Sequence, residues 1–249
     1  MNRDPPRSRS ALVLSPHPDD AAFSVGGLLH TRVFAPVTIV TVFGETNYLG
    51  VHGFRDDARE ATSIRRAEDE AFAAAVGASL ISCAFPDASV RLGSSLDAIF
   101  GQAEAVPAEL PEMLAEIVRR ERPAVILAPA AIGGHVDHRI VRALAPELAR
   151  VCDAALVYYE DLPYAGWTAA DDIAAGLAAI AGDLQPLHVP LNGAMAMKLS
   201  SVMLYRTQAI PAWVAAIRDH ASRLDPAGVE RLWAGDGAAS RLRAMMRDG

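Results

Sequence analysis

Two short polar clusters carry the residue types that metal-assisted hydrolysis requires. The first, Ser15-Pro16-His17-Pro18-Asp19-Asp20, follows the apolar run Ala11-Leu12-Val13-Leu14. The second, Gly133-Gly134-His135-Val136-Asp137-His138, follows Ala124-Val125-Ile126-Leu127-Ala128. His17 and Asp20 are three residues apart, as are His135 and His138, so a helix starting at each cluster turns both members of a pair the same way. A catalytic zinc takes three protein ligands from imidazole and carboxylate and keeps one position open. His17, Asp20 and His138 would supply that set. Asp19 is then left beside the ion as general base for a water whose pKa the metal lowers. His135 remains to hydrogen-bond a tetrahedral oxyanion or to protonate a leaving amine, with Asp137 as the near carboxylate to hold it. Each cluster alone has an ordinary reading, Pro-Asp-Asp as a helix N-cap and Gly-Gly-His-Val-Asp-His as a turn. Their joint occurrence behind two apolar runs, with complementary inventories, favours one site.

The elements that must position these residues follow from hydropathy. Short, continuously apolar runs at 11–14, 37–43, 80–85, 124–128 and 154–159 read as strands covered on both faces. Helical spacing occupies 64–76, closed by Gly77, and 111–120, closed by Arg119, Arg120, Arg122 and Pro123. Another helix spans 138–150, with Ile140, Val141, Leu144 and Leu148 on one side. This alternation predicts an α/β fold, a Rossmann-like three-layer sandwich with a mostly parallel sheet. Ligands of such sheets bind beyond the carboxyl ends of the strands, where strand order reverses. Both clusters belong at carboxyl ends. Beyond residue 160 the pattern changes to helices at 168–181, 192–205 and 213–224, a short strand at 187–189 and a helical Arg-rich tail from 240. The irregular stretches 44–63 and 86–107 each follow a strand and are placed to wall a site. With no linker, repeat or low-complexity segment, residues 1–249 read as one domain, its first ten residues flexible.

Bulk properties narrow the partners. The net charge is −7 and the pI about 5.5, which argues against nucleic acid or an anionic membrane surface, since phosphate binding needs a basic face. No apolar run reaches membrane-spanning length and no signal peptide opens the chain, so a cytoplasmic location without a membrane span is expected. Cys83 and Cys152 lie in or beside apolar runs, which suits buried thiols in a reducing compartment. No Gly-x-Gly-x-x-Gly follows the first strand, and Val25-Gly26-Gly27 reads as close helix packing, so a dinucleotide is disfavoured. A small-molecule substrate remains, and a homo-oligomer is compatible with it.

With both clusters in hand, the chain resembles the LmbE-like or PIG-L family of zinc-dependent N-deacetylases, whose hallmarks are His-Pro-Asp-Asp after the first strand and His-x-Asp-His after a later one. The resemblance implies His17, Asp20 and His138 as metal ligands, Asp19 as base, and His135 as the acid or electrophilic residue paired with Asp137. Arg65-Arg66-Ala67-Glu68 with Gly77 is similar to a family helix whose Arg lines the substrate site. Phe85-Pro86-Asp87 resembles a segment whose Asp contacts a sugar hydroxyl, and Lys198, Tyr205 and Gln208 match a late helix motif. The similarity covers about residues 15–210. One departure is Ala21, where the family commonly has Glu. A branch with Ser-Pro-His-x-Asp-Asp-Ala and a later Tyr-Glu-Asp-Leu-Pro-Tyr is the better match to Ser15–Ala21 and to residues 159–164. The expected activity is removal of an N-acyl group, acetyl foremost, from an N-acetylglucosamine-type sugar or glycoside. Zn²⁺ is the expected ion, and Fe²⁺ suits the same donors. Two alternatives stay open: an amidase for a non-sugar N-acyl metabolite, and a metal- or ligand-binding module without catalysis.

Overall fold

A computed structural model describes residues 9–101 and 106–247. Most of the flexible stretch expected at 1–10 lies outside the described residues.

The first half of the chain alternates strand and helix. It runs β1 (Ala11–Ser15), α1 (Asp20–His30), β2 (Val37–Thr41), a small hairpin of β3 (Tyr48–Leu49) and β4 (Gly53–Phe54), then α2 (Ala58–Val76) and β5 (Ser79–Ser82). Two short helices, α3 (Ala88–Arg91) and α4 (Leu96–Ile99), precede α5 (Leu110–Glu121), β6 (Val125–Pro129), α6 (Val136–Cys152) and β7 (Ala155–Tyr159). The remainder is α7 (Tyr164–Trp167), α8 (Ala170–Ala178), β8 (Gln185–Pro190), α9 (Met195–Val202), α10 (Pro211–Leu224), β9 (Val229–Ala234) and α11 (Asp236–Arg247).

Seven strands form one sheet in the order β5-β2-β1-β6-β7-β9-β8. The first five are mutually parallel, whereas β9 runs antiparallel to both β7 and β8. Every residue of β1, β2 and β6 is buried, as expected of strands with helices on both faces. The chain leaves β1 toward β2 and β5 on one side, then returns to place β6 on the other. Strand order therefore reverses between β1 and β6, and the two polar clusters leave those two strands. The hydroxyl of Tyr159 reaches across β6 to donate to the Leu14 carbonyl at 2.8 Å, fixing the carboxyl ends of β7 and β1 to each other.

The stretches read as irregular hold β3, β4, α3 and α4, and α2 and β9 also differ from the sequence expectation. α2 starts six residues early because Asp57 caps it, accepting from the Arg59 and Glu60 amides. Its first turns are polar and hide their helicity from an apolar count. β9 is the other case: Glu230 and Arg231 interrupt its apolar run, and each has a buried or half-buried ion partner. Glu230 pairs with Lys198 at 2.5 Å and accepts the Gly27 and Leu28 amides of α1. Lys198 also donates to the Ser24 carbonyl at 3.3 Å. Leu28 N–H and Ser24 C=O form one i to i−4 pair of a helix, and here both have side-chain partners from neighbouring elements. This ion pair ties α1, buried from Asp20 to Leu29, to α9 and β9, and it gives Lys198 a structural task. Among the described residues no helix is long and apolar enough to cross a membrane.

Candidate active site

The first cluster is a tight turn leaving β1. Ser15 Oγ donates to the His17 carbonyl and accepts the Ala21 amide, and the His17 amide donates to Asp20 Oδ2 at 2.8 Å. Asp19, at the N-cap of α1, has φ 119° and ψ −34°. A non-glycine residue in that region stores about 1–3 kcal/mol of strain, held only where the surroundings over-determine it. Here the surroundings are Arg65, whose guanidinium lies 3.2 Å from Asp19 Oδ2 and also donates to the Pro18 carbonyl. The second cluster leaves β6 through Gly133 and Gly134, at φ 88° and 78°. A Cβ at Gly133 would come within 2.6 Å of the Tyr164 ring, so glycine there lets α7 close under the loop.

The two turns converge. His17 Nδ1 lies 3.3 Å from Asp20 Oδ2, and His138 Nε2 lies 3.4 Å from the same oxygen. His135 brings a ring nitrogen within 4.8 Å of those of His17 and His138. The outer nitrogens of the two flanking imidazoles rest on buried carboxylates: His17 Nε2 on Asp137 Oδ2 at 2.8 Å, and His138 Nδ1 on Asp161 Oδ1 at 2.6 Å. A carboxylate behind an imidazole holds the ring proton on that side. The inward atoms, Nδ1, Oδ2 and Nε2, can then offer three lone pairs to a cation, which would take the place of the proton that each raised histidine otherwise directs at Asp20. Ligands about 2.0–2.1 Å from a tetrahedral ion stand about 3.3 Å apart. The donor set and its spacing fit a divalent cation.

This arrangement corrects one pairing. Asp137 was expected to hold His135, but its Oδ2 is 4.0 Å from His135 Nδ1 and 2.8 Å from His17. What His135 Nδ1 does is accept the Asp137 backbone amide at 3.2 Å, as the N-cap of α6. A neutral ring accepting at Nδ1 carries its proton on Nε2 and is a donor there. Two further residues, given no role in the sequence reading, contact this cluster. Asp161 follows β7, and the Tyr-Glu-Asp-Leu-Pro-Tyr stretch at 159–164 was matched without giving it a role. Arg91 donates to Asp137 Oδ1 at 2.8 Å, and nothing in its spacing marks it.

The electrostatics divide these groups. Burial alone would lower the His17 pKa, but Asp137 and Asp20 override it and raise it to about 10. His138 is likewise lowered by burial and raised, on balance, by Asp20 and Asp161. His135 falls well below the usual histidine value through burial and the nearby His17 and His138 charges. Asp19 rises to about 7, driven by burial and opposed by Arg65. Asp20 and Asp137, despite burial, are held below the usual carboxylate range by the surrounding imidazoles. Groups with such separated environments are where acid and base roles divide.

The cluster forms the floor of a cleft of about 180 Å³. Arg65, Thr46, Asp87, Ser89 and Gln208 line its polar side, and Tyr48, Phe54, Leu96, Ile99, Phe100, Tyr164 and Trp213 its apolar side. Arg65 and Asp87 thus both reach the cleft, each with a structural partner as well. Arg65 pairs with Asp19, and Asp87 caps α3 by accepting the Val90 amide. Tyr205 and Lys198 stay in the core, where Tyr205 donates to Asp69 at 2.8 Å.

A family model described as PIG-L, GlcNAc-PI de-N-acetylase, matches residues 12–149, more than half of the chain and both clusters. The chain belongs to this family. It is an N-deacetylase, an amide hydrolase. The deacetylase is 32% identical over 240 residues to the 2'-N-acetylparomamine deacetylase of Streptomyces fradiae, covering 94% of this chain and 84% of that protein. Among solved structures it is similar to the A40926 pseudoaglycone deacetylase Dbv21, at 26% identity and TM-score 0.71 over 92% of this chain and 97% of that one. A deacetylase–teicoplanin complex shares the fold, at 21% identity and TM-score 0.74 over 90% and 97% of the two chains.

Proposed function

We propose that the deacetylase removes an N-acetyl group from an amino sugar carried on a glycoside, with Zn²⁺ held by His17, Asp20 and His138; Fe²⁺ suits the same donors. The observation that carries this reading is the inward trio of acceptors, 3.3 and 3.4 Å apart and backed by Asp137 and Asp161. When bound, such an ion acidifies water and polarises an acyl carbonyl. Asp19 takes the proton from the attacking water, since burial brings its pKa near neutrality. His135, neutral and with its proton on Nε2, donates a hydrogen bond to the carbonyl oxygen as negative charge gathers there. The proton on Asp19 then passes to the departing amine. Arg65 holds Asp19 in place, and Asp87 and Gln208 offer hydrogen-bonding groups to sugar hydroxyls.

The relatives support a conjugated sugar, because their names describe N-acetylparomamine and A40926 pseudoaglycone substrates. So does the apolar wall, where Leu96 and Phe100 are 65% and 39% exposed. The same wall favours, as a second reading, a non-sugar N-acyl metabolite. A panel of free N-acetylglucosamine, its aryl and alkyl glycosides and non-sugar N-acetyl amines separates the two. Glycosides with kcat/KM at least tenfold above the free sugar are expected; activity confined to non-sugar amides would establish the second reading.

A further inference from the structure

Asp137 is fully buried and carries three hydrogen bonds from outside its own helix. Oδ2 accepts from His17 Nε2 at 2.8 Å and from the Ala88 amide at 2.9 Å. Oδ1 accepts from an Arg91 guanidinium nitrogen at 2.8 Å. A second nitrogen of the same guanidinium donates to the Pro86 carbonyl at 2.6 Å, and its carbon lies 4.8 Å from the centre of the Phe43 ring. Arg91 is therefore clamped on three sides, by a carboxylate, a carbonyl and an aromatic face. The planar fork of arginine suits such a site, and lysine cannot replace it there, having a single point charge.

We propose that Arg91 is a positioning residue of the metal centre. It fixes the plane of the Asp137 carboxylate so that Oδ2, and not Oδ1, stands against His17. That contact in turn keeps the His17 proton on Nε2 and its Nδ1 lone pair toward Asp20. The turn that holds Arg91 also carries Asp87 and Ser89 into the cleft, with Ser89 Oγ 2.6 Å from Asp87 Oδ1. One short segment after β5 thus serves the metal ligand on one side and the substrate wall on the other. Neither motif that marks the family contains it.

This inference rests on the reading of His17, Asp20 and His138 as ligands, so its test measures metal affinity directly. Zinc dissociation constants of the full chain are measured by chelator competition for the native protein, Arg91→Ala, Arg91→Lys, Asp137→Asn and the Arg91→Ala/Asp137→Asn double variant. Partners behind a metal-ligating histidine commonly govern 10–100-fold in affinity. Arg91→Ala should weaken zinc binding by about that factor, with metal-free circular dichroism unchanged. Arg91→Lys, which keeps charge and stem, should lose about 3–10-fold and supplies the test should Arg91→Ala not fold. The double variant should bind no more weakly than Asp137→Asn, since Arg91 acts through that carboxylate. Native-like affinity in Arg91→Lys and Arg91→Ala, or additive losses in the double variant, would overturn the assignment. If the native protein itself binds no zinc, the ligand reading fails and not this inference alone.

Discussion

Asp161 Oδ1 stands 2.6 Å from His138 Nδ1, with Asp161 wholly buried and His138 nearly so. Asp161 Oδ2 accepts the Ile132 amide at 2.9 Å, so the carboxylate also ties the end of β7 to the loop that leads into the second cluster. Asp161→Asn keeps the shape but loses the anionic acceptor, leaving the tautomer of His138 unfixed. Zinc affinity should fall about 10–100-fold. Isothermal titration of metal-free protein measures it, and unchanged affinity would remove Asp161 from the account.

Asp19→Asn removes the proposed base while sparing the backbone, because asparagine tolerates positive φ better than most residues. Turnover should fall by about 10²–10⁴ with one metal per chain retained. Metal analysis alongside steady-state kinetics checks both parts. An active variant would transfer the base role elsewhere.

His135→Ala should lower kcat by about 10²–10³, the usual weight of one oxyanion donor, and keep the metal. Loss of the metal in that variant would place His135 in the ligand set.

Much of this was legible in the sequence because the clusters follow continuously apolar strands. His17, Asp20 and His138 converge, and Asp19 lies beside them, because β1 and β6 are neighbours at the point of strand reversal. The carboxylates behind these side chains were harder to read. Asp137 was assigned to His135 by nearness in sequence, yet the start of α6 turns its side chain toward His17 and leaves only its amide for His135. Asp161 and Arg91 come from the turn after β7 and from α3, distant in the chain, and only pairing of strands and packing of the 86–91 turn bring them in. β9 was missed because buried ion pairs, Glu230 with Lys198 and Arg231 with Glu160, look in sequence like surface charge.

The Lys198–Glu230 pair sets a stability prediction. Removing one partner of a buried pair typically costs about 3–5 kcal/mol, and two α1 amides depend on Glu230. For a chain of this size Lys198→Ala should lower Tm by about 6–20 °C. Lys198→Met combined with Glu230→Gln, which retains an acceptor without an unpaired charge, should recover part of the loss. Calorimetry of both proteins decides it; equal melting of Lys198→Ala and native protein would contradict it.

Asp69 sets a pH dependence. It is nearly fully buried, with Oδ2 2.5 Å from Thr41 Oγ1 and Oδ1 2.8 Å from the Tyr205 hydroxyl. Burial raises its pKa to about 6, against the pull of those hydrogen bonds and of Arg65. The folded value exceeds the unfolded value of about 4, so its contribution is full below about pH 4 and lost as pH rises through about 6. Native protein should lose about 3 kcal/mol relative to Asp69→Asn between about pH 4 and 7. Urea titrations of the two metal-free proteins measure the difference; a difference that grows in the native protein's favour with pH would reverse the sign and refute it.

The central claim is that a metal held by His17, Asp20 and His138 is what makes this cleft hydrolyse an N-acetyl amino sugar. Acetate release from an N-acetylglucosaminide glycoside tests it most directly, followed in native protein, in chelator-stripped protein and after zinc is restored. The account predicts one acetate per free amine formed, loss of release on stripping, and recovery at one zinc per chain. Equal release from stripped and reloaded protein, or none from protein holding one zinc per chain, would contradict it.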